Sequence, residues 1–168
     1  MTADPGAVAE EAALLALAPV PPDRTVRYGP HPSQVIDVHD ARGARGGGPE
    51  TVVTLLHGGF WRQAYDRTHL SPAAAALARH GLTVSLAEYR RVGGDGGWPG
   101  TFDDVVRAVE AGADRGGPGT RHVVAGHSAG GHLALWAASR RRLPADSRWE
   151  EADGPRIDRV VALAPVAD

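Results

Sequence analysis

A serine between small residues, at a predicted strand-to-helix turn, is the residue of this sequence best suited to nucleophilic chemistry. Residues 126–130 read Gly-His-Ser-Ala-Gly, a G-x-S-x-G pattern that follows an apolar run ending at Ala125. Such a turn lifts the serine hydroxyl clear of a sheet. It also places the serine at a helix N-terminus, where free N–H groups stabilise an oxyanion. The pattern therefore predicts that Ser128 is a nucleophile for acyl transfer.

A second glycine turn supplies the complementary chemistry. Residues 57–61 read His-Gly-Gly-Phe-Trp and follow another apolar run. In an oxyanion hole, a backbone N–H from such a turn joins the N–H of the residue after the nucleophile. We expect one donor from Gly59, or from its neighbours Gly58 and Phe60, and the other from Ala129. An ordinary glycine loop with a packed aromatic pair is the alternative.

Aromatic residues near these turns suggest a substrate pocket. Phe60, Trp61 and Trp98 could line a pocket for an acyl or aryl group, although Trp98 could also be a simple packing residue. The glycine-rich run at residues 93–97 lacks the Lys-Ser/Thr of a phosphate-binding loop, and it predicts a flexible rim. No cofactor is expected.

Other classes of protein fit the composition poorly. The chain has 168 residues, a net charge of −2 and no cysteine, which argues against a basic nucleic-acid binder and a thiolate metal site. Its histidines lack a metal-ligand spacing, so no metal is expected. The N-terminus has no positive region, and the apolar run at residues 12–18 is too short to span a bilayer. We therefore expect a cytoplasmic protein with no membrane contact.

Alternating strand and helix patterns must position the candidate residues. Several predicted strands are apolar throughout, which indicates a mostly parallel, doubly wound sheet covered on both faces. Ligands bind such sheets beyond the carboxyl ends of the strands. A short helix at about residues 7–18 belongs to a lead-in over residues 1–24, and the domain proper occupies residues 25–168. Strands are predicted at residues 25–28, 34–39, 51–56, 83–87, 121–125 and 157–164, and helices at 71–80 (with Ser71 as N-cap), 101–113 and 129–142.

The chain resembles the α/β-hydrolases of the esterase/lipase superfamily over roughly residues 28–168. The similar segments are LLHGGFWR (55–62), GLTVSLAEYRR (81–91), WPGTFDDV (98–105) and AGHSAGGHLALW (125–136). More narrowly it resembles kynurenine formamidase-like (arylformamidase-like) esterases, which carry HGG-x-W. The resemblance implies a serine hydrolase that cleaves a small ester, N-formyl or amide substrate through an acyl-serine. It also implies that Asp104 belongs to the scaffold.

The rest of the catalytic triad is not evident. In this superfamily the triad runs in the order Ser, Asp or Glu, His, but the last histidine here is His132. The fold is expected to stop after the first strand beyond the nucleophile turn, about 60–100 residues short. We therefore expect ester turnover no faster than that of a Ser128→Ala variant. A non-catalytic remnant or small-molecule binding domain is the alternative.

Local residues are poor substitutes for the missing acid and base. His132 is expected to pack between helix and sheet, His127 to shape the turn, and His57 to hold its loop by hydrogen bonds. Asp168 follows a strand end but is expected to fray. The acidic residues expected to be solvated are Asp146, Asp153 and Asp158. The last strand is expected to leave a bare apolar edge through which the chain could self-associate.

Overall fold

Six strands form one sheet in the computed structural model, which describes residues 16–43, 50–150 and 154–166, and residues 6, 9, 12 and 13. The strands are β1 (Arg24–Arg27), β2 (Val35–His39), β3 (Thr51–Leu56), β4 (Thr83–Ala87), β5 (Arg121–His127) and β6 (Arg159–Leu163). Their order is β1-β2-β4-β3-β5-β6. β2 pairs antiparallel with both β1 and β4, and the remaining pairs are parallel. The predicted mostly parallel α/β sheet is confirmed.

Within residues 50–150, three α-helices flank the sheet: α1 (Ser71–Arg79), α2 (Gly100–Ala113) and α3 (Ala129–Ser139). The prediction that Ser71 is an N-cap is wrong, because a 3-10 turn over Arg67–Leu70 leads directly into α1. The helix predicted to reach residue 142 ends at Ser139 and continues as a 3-10 turn. The predicted N-terminal helix lies largely outside the described residues. Among the described helices, none is long and apolar enough to cross a bilayer.

The core lies on both faces of the sheet because successive strand residues point in opposite directions. On one face, Val53 and Leu55 of β3 pack with Ala74 of α1. On the other face, Leu56 packs with buried residues of α2 and α3, among them Val109. Both faces of the central strands are therefore covered by helices, as expected of a doubly wound sheet.

The register of the central strands brings three turns to one edge of the sheet. Leu56 at the end of β3 is paired with Ala87 at the end of β4 and with Gly126 near the end of β5. The residues that follow these positions leave the sheet side by side. The His57 turn, Glu88 and the Ser128 turn thus lie together at the carboxyl edge, where ligands bind in this architecture.

Candidate active site

Ser128 occupies a strained turn between β5 and α3. Its backbone has φ 53° and ψ −119°, a conformation that non-glycine residues rarely adopt. The Ser128 N–H donates to the carbonyl of Leu163 over 2.9 Å, and the Ser128 carbonyl accepts from the N–H of His132 over 3.1 Å. Strain of this kind costs about 1–3 kcal/mol and persists only where the surroundings enforce it.

The two glycines of the serine turn are required by close backbone contacts. A Cβ on Gly126 would lie 2.1 Å from the carbonyl oxygen of Gly130. A Cβ on Gly130 would lie 2.1 Å from the carbonyl oxygen of Leu56. No side chain can be accommodated at these distances, so β3, β5 and α3 meet only because both positions are glycine.

The His57 turn lies directly against the serine turn. A Cβ on Gly58 would lie 3.1 Å from the Cβ of Ser128 and 2.9 Å from the carbonyl oxygen of His127. Gly59, Phe60 and Trp61 then follow with φ values of 110°, 52° and 57°. These three consecutive residues with positive φ make a tight turn of the chain beside Ser128.

Several backbone N–H groups at this junction are free to bind a ligand. No described residue accepts a hydrogen bond from the N–H of Gly58, Gly59 or Phe60. Ala129 is the first residue of α3, so its N–H has no acceptor within the helix. The four positions predicted as oxyanion donors therefore belong to the two turns that the fold brings into contact at Ser128.

A buried network of hydrogen bonds and ion pairs holds the side chain of His57 in its turn. The imidazole of His57 is fully buried, with Nδ1 2.7 Å from the carbonyl oxygen of Gly58 and Nε2 3.0 Å from Oε1 of Glu88. Glu88 also accepts from the backbone N–H of Arg67 and from the guanidinium of Arg91. The ring of Tyr89 stacks on that of His57, with centroids 4.4 Å apart.

Glu88 is the carboxylate of this network, and sequence reasoning missed it. Its burial raises the pKa, but the hydrogen bond and charge of His57 and the charge of Arg91 outweigh burial, so the pKa lies below its usual value. Glu88 comes directly after β4, and a polar residue at the carboxyl end of a central strand was the available signal.

The predicted aromatic residues line one cavity of about 320 Å³, which includes Phe60 and Trp61 of the His57 turn and His132 of α3. Trp61 is half-buried, whereas Phe60 and Trp98 are 61% and 72% exposed. His132 shares the cavity wall, and its ring meets that of Trp61 edge-on at 5.4 Å. Trp98 contacts the rings of Phe102 and Trp149, so it both packs and faces the cavity.

A sequence model of the BD-FAE family matches residues 36–168, most of the chain. The chain belongs to the BD-FAE family. Its fold is the α/β-hydrolase fold of esterases, as predicted. No protein with a curated description matches its sequence significantly.

Three solved structures illustrate the similarity of the BD-FAE chain to esterases. A proposed thioesterase from Silicibacter sp. TM1040 is 26% identical, with a TM-score of 0.68 over 97% of this chain and 56% of that one. Esterase B from Lactobacillus rhamnosis is 24% identical, with a TM-score of 0.69 over 97% of this chain and 55% of that one. Est2 from Thermogutta terrifontis, bound to propionate, is 18% identical, with a TM-score of 0.67 over 85% and 54%. The BD-FAE chain spans about half the length of these proteins.

In the BD-FAE chain, no described side chain forms a hydrogen bond with the hydroxyl of Ser128. His132 turns toward the aromatic rings, and its Nδ1 is buried without a described partner. His127 also has a buried Nδ1 without a described partner. His57 is fully engaged with Gly58 and Glu88. The hydrogen bonds of His57 fit its expected role of holding its loop, whereas His132 lies in the wall of the aromatic cavity. The turn-shaping role of His127 stays a prediction. None of these three imidazoles forms a hydrogen bond with the hydroxyl of Ser128 in the described structure.

The candidate acids of the BD-FAE chain lie elsewhere. Asp104 is buried and bound to Arg90 and Gln34, as expected of a scaffold residue. Asp158 is exposed, as expected, and it also accepts from the backbone N–H of His122 near the start of β5, over 2.9 Å. Asp146 is exposed, and Asp153 and Asp168 lie outside the described residues. In the described parts of the chain, no three His, Asp or Glu side chains converge as metal ligands.

Proposed function

We propose that this BD-FAE chain carries a serine hydrolase site that acts on an ester, N-formyl or amide bond through an acyl-serine. The observation that carries the proposal is the contact between Gly58 and the strained Ser128 turn. This contact places Ser128, at the N-terminus of α3, beside the His57 turn. In that turn the backbone N–H groups of residues 58–60 have no described acceptor. Nucleophilic acyl transfer needs the serine Oγ and the oxyanion donors close enough to contact the carbon and the oxygen of the same substrate carbonyl.

In the proposed reaction, Oγ of Ser128 forms a bond with the substrate carbonyl carbon and loses its proton to a base. The carbonyl oxygen becomes an oxyanion, which accepts hydrogen bonds from the N–H groups of Gly59 and Ala129, with Gly58 and Phe60 as the neighbouring donors. Collapse of the tetrahedral intermediate expels the alcohol or amine, which takes up a proton. Water then attacks the acyl-serine, releases the acid and restores the hydroxyl.

The aromatic cavity supports a small apolar or aryl substrate. Trp61, Phe60 and Trp98 supply ring surface on its wall, and an aromatic group gains both apolar burial and ring contacts there. The narrower resemblance to arylformamidase-like esterases stays a prediction, as does the cytoplasmic location. No nucleic-acid or membrane partner is part of the proposal.

A non-catalytic binding domain is the second candidate function. The observation that favours it is the lack of a hydrogen bond to the Ser128 hydroxyl from any described side chain. Without a base, an activated reagent can still acylate or phosphonylate the serine, but an ordinary ester is not turned over. We therefore expect the 168-residue chain to be modified once at Ser128 without catalytic turnover.

An activated phosphonate separates these possibilities. With an alkyl p-nitrophenyl phosphonate, Oγ of Ser128 displaces p-nitrophenolate, and intact-mass spectrometry with peptide mapping locates the adduct. We expect one adduct at Ser128 and none in Ser128→Ala, and p-nitrophenyl acetate turnover equal in both proteins. No adduct at Ser128 would overturn the nucleophile assignment. Ser128-dependent turnover of the acetate would instead show that the chain contains a base.

A further inference from the structure

Trp98 lies at the rim of the aromatic cavity with most of its ring in solvent. It is 72% exposed, yet it lines the cavity together with Trp61 of the His57 turn. The backbone beside it is held, because the N–H of Gly97 donates to Oγ1 of Thr101 over 2.9 Å and that hydroxyl donates to the carbonyl of Arg90 over 2.7 Å. The position of the indole in the cavity wall therefore depends on the contacts that the ring itself makes.

Two aromatic rings hold the indole of Trp98 among the described residues. The ring centroid of Phe102 lies 5.1 Å from that of Trp98, and the ring centroid of Trp149 lies 4.6 Å from it, both edge-on. Such contacts are favourable because the positive edge of one ring meets the negative face of the other. Phe102 is a near neighbour in the first turn of α2, whereas Trp149 comes from the segment that follows α3. Trp149 is thus the long-range support of Trp98.

We propose that Trp149 is a positioning residue for aryl substrates: it holds the ring of Trp98 in the wall of the aromatic cavity, and Asp103 holds Trp149 in turn. The inference rests on the proposed function, because the cavity is the proposed binding place of the substrate. Trp149 is not among the residues that line the cavity. It acts on a bound aryl group only through the rings of Trp98 and Phe102.

Trp149 is anchored through both its ring and its backbone. Its indole Nε1 donates to Oδ1 of Asp103 over 2.8 Å, and Oδ2 of the same carboxylate accepts from Arg148 over 2.9 Å. The guanidinium of Arg148 also lies 5.4 Å from the centroid of the indole, a cation–π contact. The backbone carbonyl of Trp149 accepts from Nε of Arg140 over 2.9 Å. These contacts leave Trp149 only 9% exposed, although its segment has no regular secondary structure.

Asp103 connects this anchor to the cavity. It follows Phe102 in the first turn of α2, and its side chain is 22% exposed. Its carboxylate fixes the indole nitrogen of Trp149, while the adjacent ring of Phe102 packs against both tryptophans. Binding costs less free energy when the side chains that contact a ligand are already ordered. An aryl ligand should therefore bind more tightly to a held ring of Trp98 than to a mobile one.

Nuclear magnetic resonance of the indole groups tests this support without any ligand. The heteronuclear Overhauser effect of an indole N–H reports motion on the picosecond to nanosecond scale. We expect Trp98 to be as rigid as the buried Trp149 in the wild-type chain, and to become mobile in Trp149→Leu and in Asp103→Ala. Asp103→Asn keeps an oxygen that accepts from the indole, so it should restore the rigidity that Asp103→Ala loses. A mobile Trp98 in the wild-type chain, or a rigid one in Trp149→Leu, would overturn the proposal.

Protection of Ser128 by an aryl ketone tests the consequence for binding. Acetophenone has a phenyl ring and a carbonyl but no leaving group, so we expect it to occupy the site and slow phosphonylation of Ser128. Trp149→Leu should raise the half-protecting concentration about 2-fold to 10-fold, the range of one aromatic contact. Ala75→Gly weakens α1, which packs on the other face of the sheet from α2. It is the destabilised control and should leave the half-protecting concentration unchanged.

The outcomes of the protection experiment separate this proposal from the proposed function. An unchanged half-protecting concentration in a folded Trp149→Leu protein would refute the positioning role, as would an equal rise in Ala75→Gly. Failure of acetophenone to protect Ser128 in the wild-type chain would refute it as well. If no protein forms the adduct at Ser128, the proposed function fails, whereas the motion of Trp98 still decides whether Trp149 holds its ring.

Discussion

Gly130 of α3 lies so close to Leu56 of β3 that a Cβ on the glycine would lie 2.1 Å from the carbonyl oxygen of Leu56. The same Cβ would lie 2.4 Å from the carbonyl oxygen of His57. Gly130 therefore lets the start of α3 settle onto the strand that leads into the His57 turn. Through this contact, the positions of the two candidate oxyanion turns depend on each other.

Gly130→Ala should lower the free energy of unfolding by about 1–3 kcal/mol or more, because the backbone atoms it meets cannot move aside. Urea denaturation measures the change. Gly117→Ala is the matched control, since a Cβ there has nothing within 4 Å. It should leave the free energy of unfolding unchanged or raise it by less than about 1 kcal/mol. Equal effects of the two substitutions would contradict the close contact at Gly130.

Ser128→Gly should be more stable than Ser128→Ala by about 1 kcal/mol. Glycine adopts φ 53° and ψ −119° without steric cost, whereas alanine keeps the Cβ that is strained there. Thermal and urea denaturation of the two variants measure the difference, and neither variant should form the phosphonate adduct. If alanine proves the more stable, the turn at Ser128 is not strained.

Asp104 should support the fold at neutral pH and lose that effect in acid. Burial raises its pKa, but hydrogen bonds from Arg90 and Gln34 outweigh burial, so the folded pKa lies below the ordinary value of 3.8. The stabilisation is therefore complete above about pH 4 and is lost as pH falls through the folded pKa. Asp104→Asn should lower the free energy of unfolding by about 2–3 kcal/mol at pH 7. Urea denaturation measures the difference in the free energy of unfolding between wild type and Asp104→Asn, and this difference should shrink below pH 4. A difference that does not change with pH would exclude a stabilising role for the ionised carboxylate of Asp104.

Trp61 and Trp98 should differ in their contributions to protein stability and to substrate binding. Trp98 is 72% exposed, so Trp98→Ala should change stability by less than about 1 kcal/mol but weaken binding of a small aryl ester. Trp61 packs against the core, so Trp61→Ala should lower the free energy of unfolding and also weaken binding of the aryl ester. Isothermal titration with phenyl acetate as the probe, beside denaturation curves, separates the two effects. Unchanged affinity in both variants would remove the cavity from the proposed substrate site.

We propose that the chain self-associates through β6. This strand has a neighbour in the described sheet only on the β5 side, and Val161 and Leu163 are 38% and 54% exposed. Unpaired apolar strands favour pairing with another chain. Sedimentation velocity should show a mass that rises with concentration, and Val161→Lys should suppress that rise. Leu135→Lys, at a leucine on α3 that is 45% exposed, is the control and should not suppress the rise. A wild-type monomer at all concentrations would contradict the proposal.

Much of the local structure could be predicted from patterns within short segments. The bounds of β3 and β4 match the predicted strands, because runs rich in β-branched and apolar residues favour a buried strand wherever they lie. The serine turn was equally visible, since its glycines and its strand-to-helix setting are neighbours in the chain. The end of α3 was not, because the chain changes from an α-helix to a 3-10 turn at Arg140 while its backbone stays helical. The side chain of Arg140 there donates to the carbonyl of Trp149, a partner nine residues further along the chain.

What the sequence alone determined is therefore the list of strands and helices and the pair of turns flanking Ser128 and Gly59. Only the tertiary structure decided which polar residues support those turns. Glu88 and His57 are 31 positions apart, and they meet because β4 lies beside β3 in the sheet order. A buried carboxylate is tolerated only where donors from several segments converge on it, and no periodicity along the chain reports that convergence.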